Sequence, residues 1–110
     1  MSFATTVRLV LDPAERAEAL RSLRSFAATL TLTSGFLGYS LLEDLEEPGA
    51  YVLVERWGSL DALRRHLQSE SFLDLMSVMD MSRREPAFEI EKVDPVEGSD
   101  LMALVRRSLG

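Results

Sequence analysis

An α+β fold with one antiparallel sheet is predicted by three features of this sequence. Four short segments carry strand-type residues, two longer ones carry helical periodicity, and they run in the order strand, helix, strand, strand, helix, strand. Two split strand-helix-strand halves of this kind build the ferredoxin-like plait, a four-stranded antiparallel sheet with both helices on one face. Length agrees, since a chain of 110 residues supports a single domain that buries roughly 65% of the surface its unfolded chain exposes. The expected organisation is a domain over residues 1–94 followed by a linker and short helix over residues 95–110.

The first strand is expected over Phe3 to Leu11, where Phe3, Thr5, Val7, Leu9 and Leu11 fall on one side. Asp12-Pro13-Ala14-Glu15 then supplies an N-cap, a proline at the first helical position and an acid three residues after the cap. Ala17, Leu20, Leu23, Ala27 and Leu30 form the apolar stripe of that helix, and Ser34-Gly35 ends it after the β-branched Thr29, Thr31 and Thr33. Phe36 to Glu43 is mostly apolar on both faces, which suits a central strand; Gly38 within it points to a bulge or a close backbone approach. The turn Leu45-Glu46-Glu47-Pro48-Gly49 leads into a third strand over Tyr51 to Trp57, which places Tyr51, Leu53, Glu55 and Trp57 on one side. Strands two and three therefore make a hairpin.

Gly58 breaks the third strand, Ser59 caps a helix, and Leu60, Leu63 and Leu67 recur at helical spacing. His66 sits at the edge of that stripe, half core and half pocket. Ser69-Glu70-Ser71 offers a second cap, and Phe72, Leu75, Met76 and Met79 carry the stripe on to about Met81; continuation and a kink at Ser69 are both compatible with the sequence. A half-exposed fourth strand is expected over Ala87 to Val93, a linker over Pro95 to Gly98, and a helix opened by Asp100 with Leu101, Leu104, Val105 and Leu109 on one side. With only one sheet face covered by helices, the apolar residues on the other face would form a patch larger than monomers tolerate, which predicts a homodimer built sheet against sheet.

Composition narrows the chemistry. The chain has no cysteine and a single histidine, which removes disulfides and thiolate chemistry and leaves no His/Asp/Glu cluster with metal-ligand spacing. Metal catalysis is not expected. A formal net charge of -6 opposes binding to a phosphate backbone, so nucleic acid is not an expected partner. No apolar run approaches the roughly 18 residues of a membrane helix and no signal-type segment opens the chain, so a soluble, cytoplasmic protein without a membrane partner is expected.

Read together, Ser34-Gly35-Phe36-Leu37-Gly38-Tyr39, Glu47-Pro48-Gly49, Glu55-Arg56-Trp57-Gly58-Ser59-Leu60-Asp61-Ala62-Leu63 and His66-Leu67-Gln68-Ser69-Glu70-Ser71-Phe72 resemble the antibiotic biosynthesis monooxygenase family. The resemblance runs from about Val7 to Val93. It implies a dimeric α/β barrel of ferredoxin-like subunits that oxidises or oxygenates quinols and aromatic polyketides with O2 and without metal, flavin or haem. The haem-degrading branch of the superfamily typically has Trp at the position of His66, a haem-ligating His at that of Met76 and Asn on the first strand; this chain has His66, Met76 and Thr5 or Thr6, which disfavours haem degradation.

Cofactor-free oxygenation requires a substrate that itself gives an electron to O2, and a quinol does so far better once deprotonated. Imidazole, with an ordinary pKa of about 6.5, is the side-chain type here suited to take a phenolic proton near neutral pH. His66 is thus the candidate base, with Trp57, Tyr39, Phe72 and Met76 as candidate lining of a substrate pocket between helices and sheet. Each also has a packing reading: His66 as a structural residue, Trp57 as core, Tyr39 as barrel edge, Phe72 and Met76 as helix stripe. Glu55 is expected to form a structural ion pair with Arg8 or Arg56. A ligand-binding dimer without turnover, and an isomerase or decarboxylase-like activity using the same base, are the alternatives.

Overall fold

The computed structural model describes residues 1–94 and 98–109. Its elements are β1 (Ser2–Val10), α1 (Pro13–Leu30), β2 (Phe36–Glu43), β3 (Ala50–Trp57), α2 (Leu60–Leu67), α3 (Glu70–Met79), β4 (Ala87–Val93) and α4 (Gly98–Leu109). The strands form one antiparallel sheet in the order β2-β3-β1-β4, the ferredoxin-like arrangement predicted above. Of the expected linker, residues 95–97 lie outside the described residues, and Gly98 already belongs to α4.

Register decides which side chains share the core. Phe3, Thr5, Val7 and Leu9 of β1 stand opposite Trp57, Glu55, Leu53 and Tyr51 of β3, and these positions face the helices. The intervening Ala4, Thr6, Arg8, Val52, Val54 and Arg56 point to the other face, because a strand alternates sides at every residue. The bulge expected at Gly38 is present: the register between β2 and β3 slips between Phe36 and Gly38, and Gly38 has φ 144°, open to glycine at little cost.

Two expectations about the helices need correction, and a third point, left open by the sequence at Ser69, is decided by the structure. The buried stripe of α1 is Ala19, Leu23, Phe26, Ala27 and Leu30, so the helix is rotated from the expected stripe, Ala17 is exposed and Leu20 only partly buried. Phe26 takes the place on the core side that Ala17 was expected to hold at the other end. The segment after β3 is two helices rather than one: the Ser69 side chain accepts from the Phe72 N–H at 3.3 Å and donates to the His66 carbonyl at 2.6 Å, stopping α2 and starting α3 at one residue. Finally, α3 buries Leu75 and Val78, which leaves Met76 on its outer side, 45% exposed.

Candidate active site

The junction of β3 and α2 is fixed by tight local geometry. Ser59 caps α2 by accepting from the Ala62 N–H at 3.1 Å, and the Gly58 N–H donates to the Gly35 carbonyl at 2.8 Å, tying the start of β2 to the end of β3. Gly35 has φ +84°, and a Cβ there would clash with the Ala62 Cβ. Gly35→Ala therefore combines left-handed strain of about 1–3 kcal/mol with overpacking of about 1–3 kcal/mol. Urea unfolding should register a loss of about 2–6 kcal/mol from these two sources.

With this junction set, α2 turns Ala62, Leu63 and His66 inward. His66 is 3% exposed, so it lies within the core rather than at its edge. Its ring stacks on Trp57 with centroids 4.5 Å apart and planes at 25°. Phe72 meets it edge-on at 5.6 Å and Phe26 closes another side at 5.9 Å. Phe36 packs against the far side of the Trp57 indole at 5.1 Å.

The partner of Glu55 differs from the expected one. Arg8 and Arg56 lie on the opposite sheet face, and Arg8 instead pairs with Asp44 at 2.9 Å. The Glu46 backbone N–H, and after it the Arg8 guanidinium, hold the Asp44 carboxyl below its ordinary range. Glu55, 1% exposed, faces inward: its Oε1 accepts from the Thr5 hydroxyl at 3.1 Å and lies 3.1 Å from His66 Nε2. That last distance is within hydrogen-bonding range, but the ring N–H is not aimed at the oxygen, so His66 Nε2 lacks an aligned partner. Glu55 Oε2 and Trp57 Nε1 are buried without a partner as well. Thus three side chains in one cluster each carry an unsatisfied polar atom, where burial normally demands pairing.

Of the residues expected to line a pocket, His66, Trp57 and Phe72 come together, whereas Tyr39 and Met76 do not join the stack. Tyr39 stands opposite Glu55 on the helix-bearing face, but on the edge strand, and is 40% exposed. Met76 follows Phe72 by one turn on the outer side of α3. Glu55 and Thr5 complete the cluster and were not expected to; the signal was available in their place on the apolar side of β3 and β1. The clearest cavity lies elsewhere: a groove of about 290 Å³ lined by Leu20, Arg24, Leu41, Leu42, Glu43 and Tyr51. Tyr51 and Trp57 are six residues apart on β3, about 20 Å at the strand rise, so the groove and the His66 cluster occupy different ends of the sheet. The cluster itself is filled by side chains. Among the described residues no group of three or more His, Cys, Asp or Glu could hold a metal ion, and no helix is long and apolar enough to cross a membrane.

Comparison with known proteins places this arrangement. A family model for antibiotic biosynthesis monooxygenase matches residues 2–77. Among solved structures, Rv0793 from Mycobacterium tuberculosis is 23% identical with a TM-score of 0.77, covering 89% of this chain and 100% of its own. SnoaB, a cofactor-independent oxygenase from Streptomyces nogalater, is 21% identical with a TM-score of 0.75, covering 88% and 97%. A candidate antibiotic biosynthesis monooxygenase from Caulobacter crescentus CB15 is 28% identical with a TM-score of 0.74, covering 87% and 91%. The curated proteins give no match.

Proposed function

The chain belongs to the antibiotic biosynthesis monooxygenase family, and from that premise we propose that it is a cofactor-independent oxidoreductase that uses O2 to oxidise a small aromatic or polyphenolic substrate, with His66 as the base. The observation that carries this reading is the set of partnerless polar atoms on Glu55, Trp57 and His66. Because side chains fill the cluster, a phenol reaches these atoms only when the half-buried Phe72 ring swings aside; placed there, it would give partners to polar atoms that the folded chain leaves open. Glu55 adds what a lone imidazole lacks, a carboxylate that stabilises the imidazolium formed when His66 takes a proton, while Thr5 holds that carboxylate in place.

In this mechanism His66 removes the phenolic proton. For an anthrone the proton taken is the phenolic one of its enol tautomer; the resulting anion gives one electron to O2, the radical pair joins as a peroxide on the ring carbon that takes the proton back from His66, and loss of water, with the remaining hydrogen of that carbon, leaves a new carbonyl. One oxygen atom is incorporated and the other leaves as water, with all four electrons drawn from the substrate. Trp57 offers a flat apolar wall and a dry surrounding in which the anion is formed next to O2. Phe72, half-buried and packed toward β4 through Phe88, marks where a substrate ring would pass inward, with Met76 one turn further along α3; Tyr39, on the β2 edge opposite Glu55, borders the cluster from the other side.

Oxygen uptake with a panel of quinols and anthrones tests the reading. Consumption by the wild-type chain that is lost in His66→Ala is expected; equal rates in the two would remove His66 from the chemistry. A tightly retained ligand with no oxygen consumption by any substrate would favour the binding-protein alternative. The uncovered sheet face, with Val52 and Val54 at its centre and Leu42 at its β2 edge, supports the homodimer as part of the same reading. Light scattering should give twice the chain mass at micromolar concentration; a monomer would remove the sheet-to-sheet pairing.

A further inference from the structure

We propose that helix α4 docks on a second copy of this chain, in the groove between α1 and the free edge of β2. The helix (Gly98–Leu109) lies beyond residues 2–77 that carry the family match. It places Leu101, Met102, Leu104, Val105 and Leu109 on one side and has no buried residue. Twelve residues are marginal as an isolated helix in water, where most helical stability comes from packing an apolar face.

The groove has the matching chemistry. Leu20, Leu41, Leu42 and Tyr51 provide an apolar floor, and Arg24 and Glu43 border it. Pockets for drug-sized ligands run from roughly 300 to 1,000 Å³, so a groove of about 290 Å³ suits a few aliphatic side chains better than a large ligand. Asp100 lies in the first turn of α4 and Arg106 and Arg107 in the last. A helix laid with its first turn beside Arg24 and its last beside Glu43 meets an unlike charge at both ends.

Chain reach selects the second copy. β2 and β4 are opposite edges of the sheet, three strand spacings apart, about 14 Å. β4 ends at Val93 beside Ser2, near the Trp57 end of β3, whereas the groove lies at the Tyr51 end, about 20 Å along the strands. The combined separation is about 24 Å from those spacings. Four links join Asp94 to Gly98 and span at most about 14 Å. Even with the Val93–Asp94 link added, about 17 Å in all, the first turn of α4 cannot come beside Arg24 of its own chain, so seating the whole helix in the charge-matched direction requires a second copy. Exchange between two copies gives each a donated and a received helix, as twofold symmetry requires. Leu41, Glu43 and Tyr51 belong to the helix-bearing face, so the contact shares only Leu42, at the strand edge, with the sheet-face pairing.

The absence of native cysteine allows a direct test. Differently tagged Glu43→Cys and Arg106→Cys chains, both altered at exposed positions, are mixed and mildly oxidised. Disulfide formation needs Cα atoms about 4.4–6.8 Å apart. A crosslink between the two tags at least tenfold stronger than that from Asp74→Cys mixed with Arg106→Cys is expected. A band no stronger than this control, or a disulfide closed within one chain when Glu43→Cys and Arg106→Cys are combined, overturns the proposal. As a second measurement, Leu101→Glu with Val105→Glu should weaken self-association at least tenfold by sedimentation. Unchanged association would overturn it too, and neither result depends on catalytic turnover.

Discussion

Glu55→Gln is expected to lower the rate of oxygen consumption by about 10²–10⁴-fold, the range that a positioned acid-base group supplies, while the protein stays folded. Glutamine keeps the shape and an acceptor for the Thr5 hydroxyl but removes the negative charge beside His66. If the carboxylate stabilises the imidazolium formed in the reaction, the loss falls on kcat more than on KM. A structural role alone would instead appear as lowered stability with the rate per folded molecule unchanged. His66→Ala removes the base outright but also strands Glu55, a buried carboxylate 1% exposed. Breaking a buried pair in this way costs about 3–5 kcal/mol, so denaturation should be measured alongside activity, and Glu55→Gln is the cleaner of the two variants.

Trp57→Ala should cost about 3–5 kcal/mol of stability, out of a total that for such domains is about 5–15 kcal/mol. The indole is fully buried between His66 and Phe36, and its removal leaves a cavity under the β3–α2 junction that Gly35 and Ser59 hold rigid. Trp57→Phe should cost less. The indole N–H has no partner in the folded chain, so no hydrogen bond is lost and only part of the packing is. Chemical denaturation of both variants checks this ordering; a Trp57→Phe protein as unstable as Trp57→Ala would mean that the N–H is satisfied after all.

These expectations combine parts of the molecule that the sequence reveals to different degrees. Alternation and turn chemistry locate every strand, because Pro48-Gly49, Gly58 and Gly35 mark the ends and the period of two is clean in β3. Alternation also places Glu55 and Trp57 on one face, and the adjacent Arg56 on the other, so Arg56 could have been set aside as a partner from parity alone. Arg8 falls off the apolar side of β1 by the same alternation; what stays hidden is the β1–β3 register that stands Thr5 opposite Glu55, a property of pairing between distant segments. The rotation of α1 is hidden for a related reason. Ala17 and Ala19 are equal in size and apolar character, and Phe26, three residues beyond Leu23, reveals the buried side only once α3 and His66 are known to lie against it. Met76 illustrates the limit of periodicity on a ten-residue helix: a stripe of Phe72, Leu75, Met76 and Met79 spans more of the surface than one packed neighbour can cover.

The base assignment rests on proton transfer from a bound phenol to the Glu55–His66 pair, and that step can be followed with oxygen excluded. Anaerobic titration of the wild-type chain with a quinol or anthrone that it oxidises in air should bring up the absorption of the ionised substrate at a pH where the free compound is neutral, and the band should vanish in His66→Ala. A bound substrate that keeps its neutral spectrum in the wild type, or the same anionic spectrum in both proteins, would contradict the account.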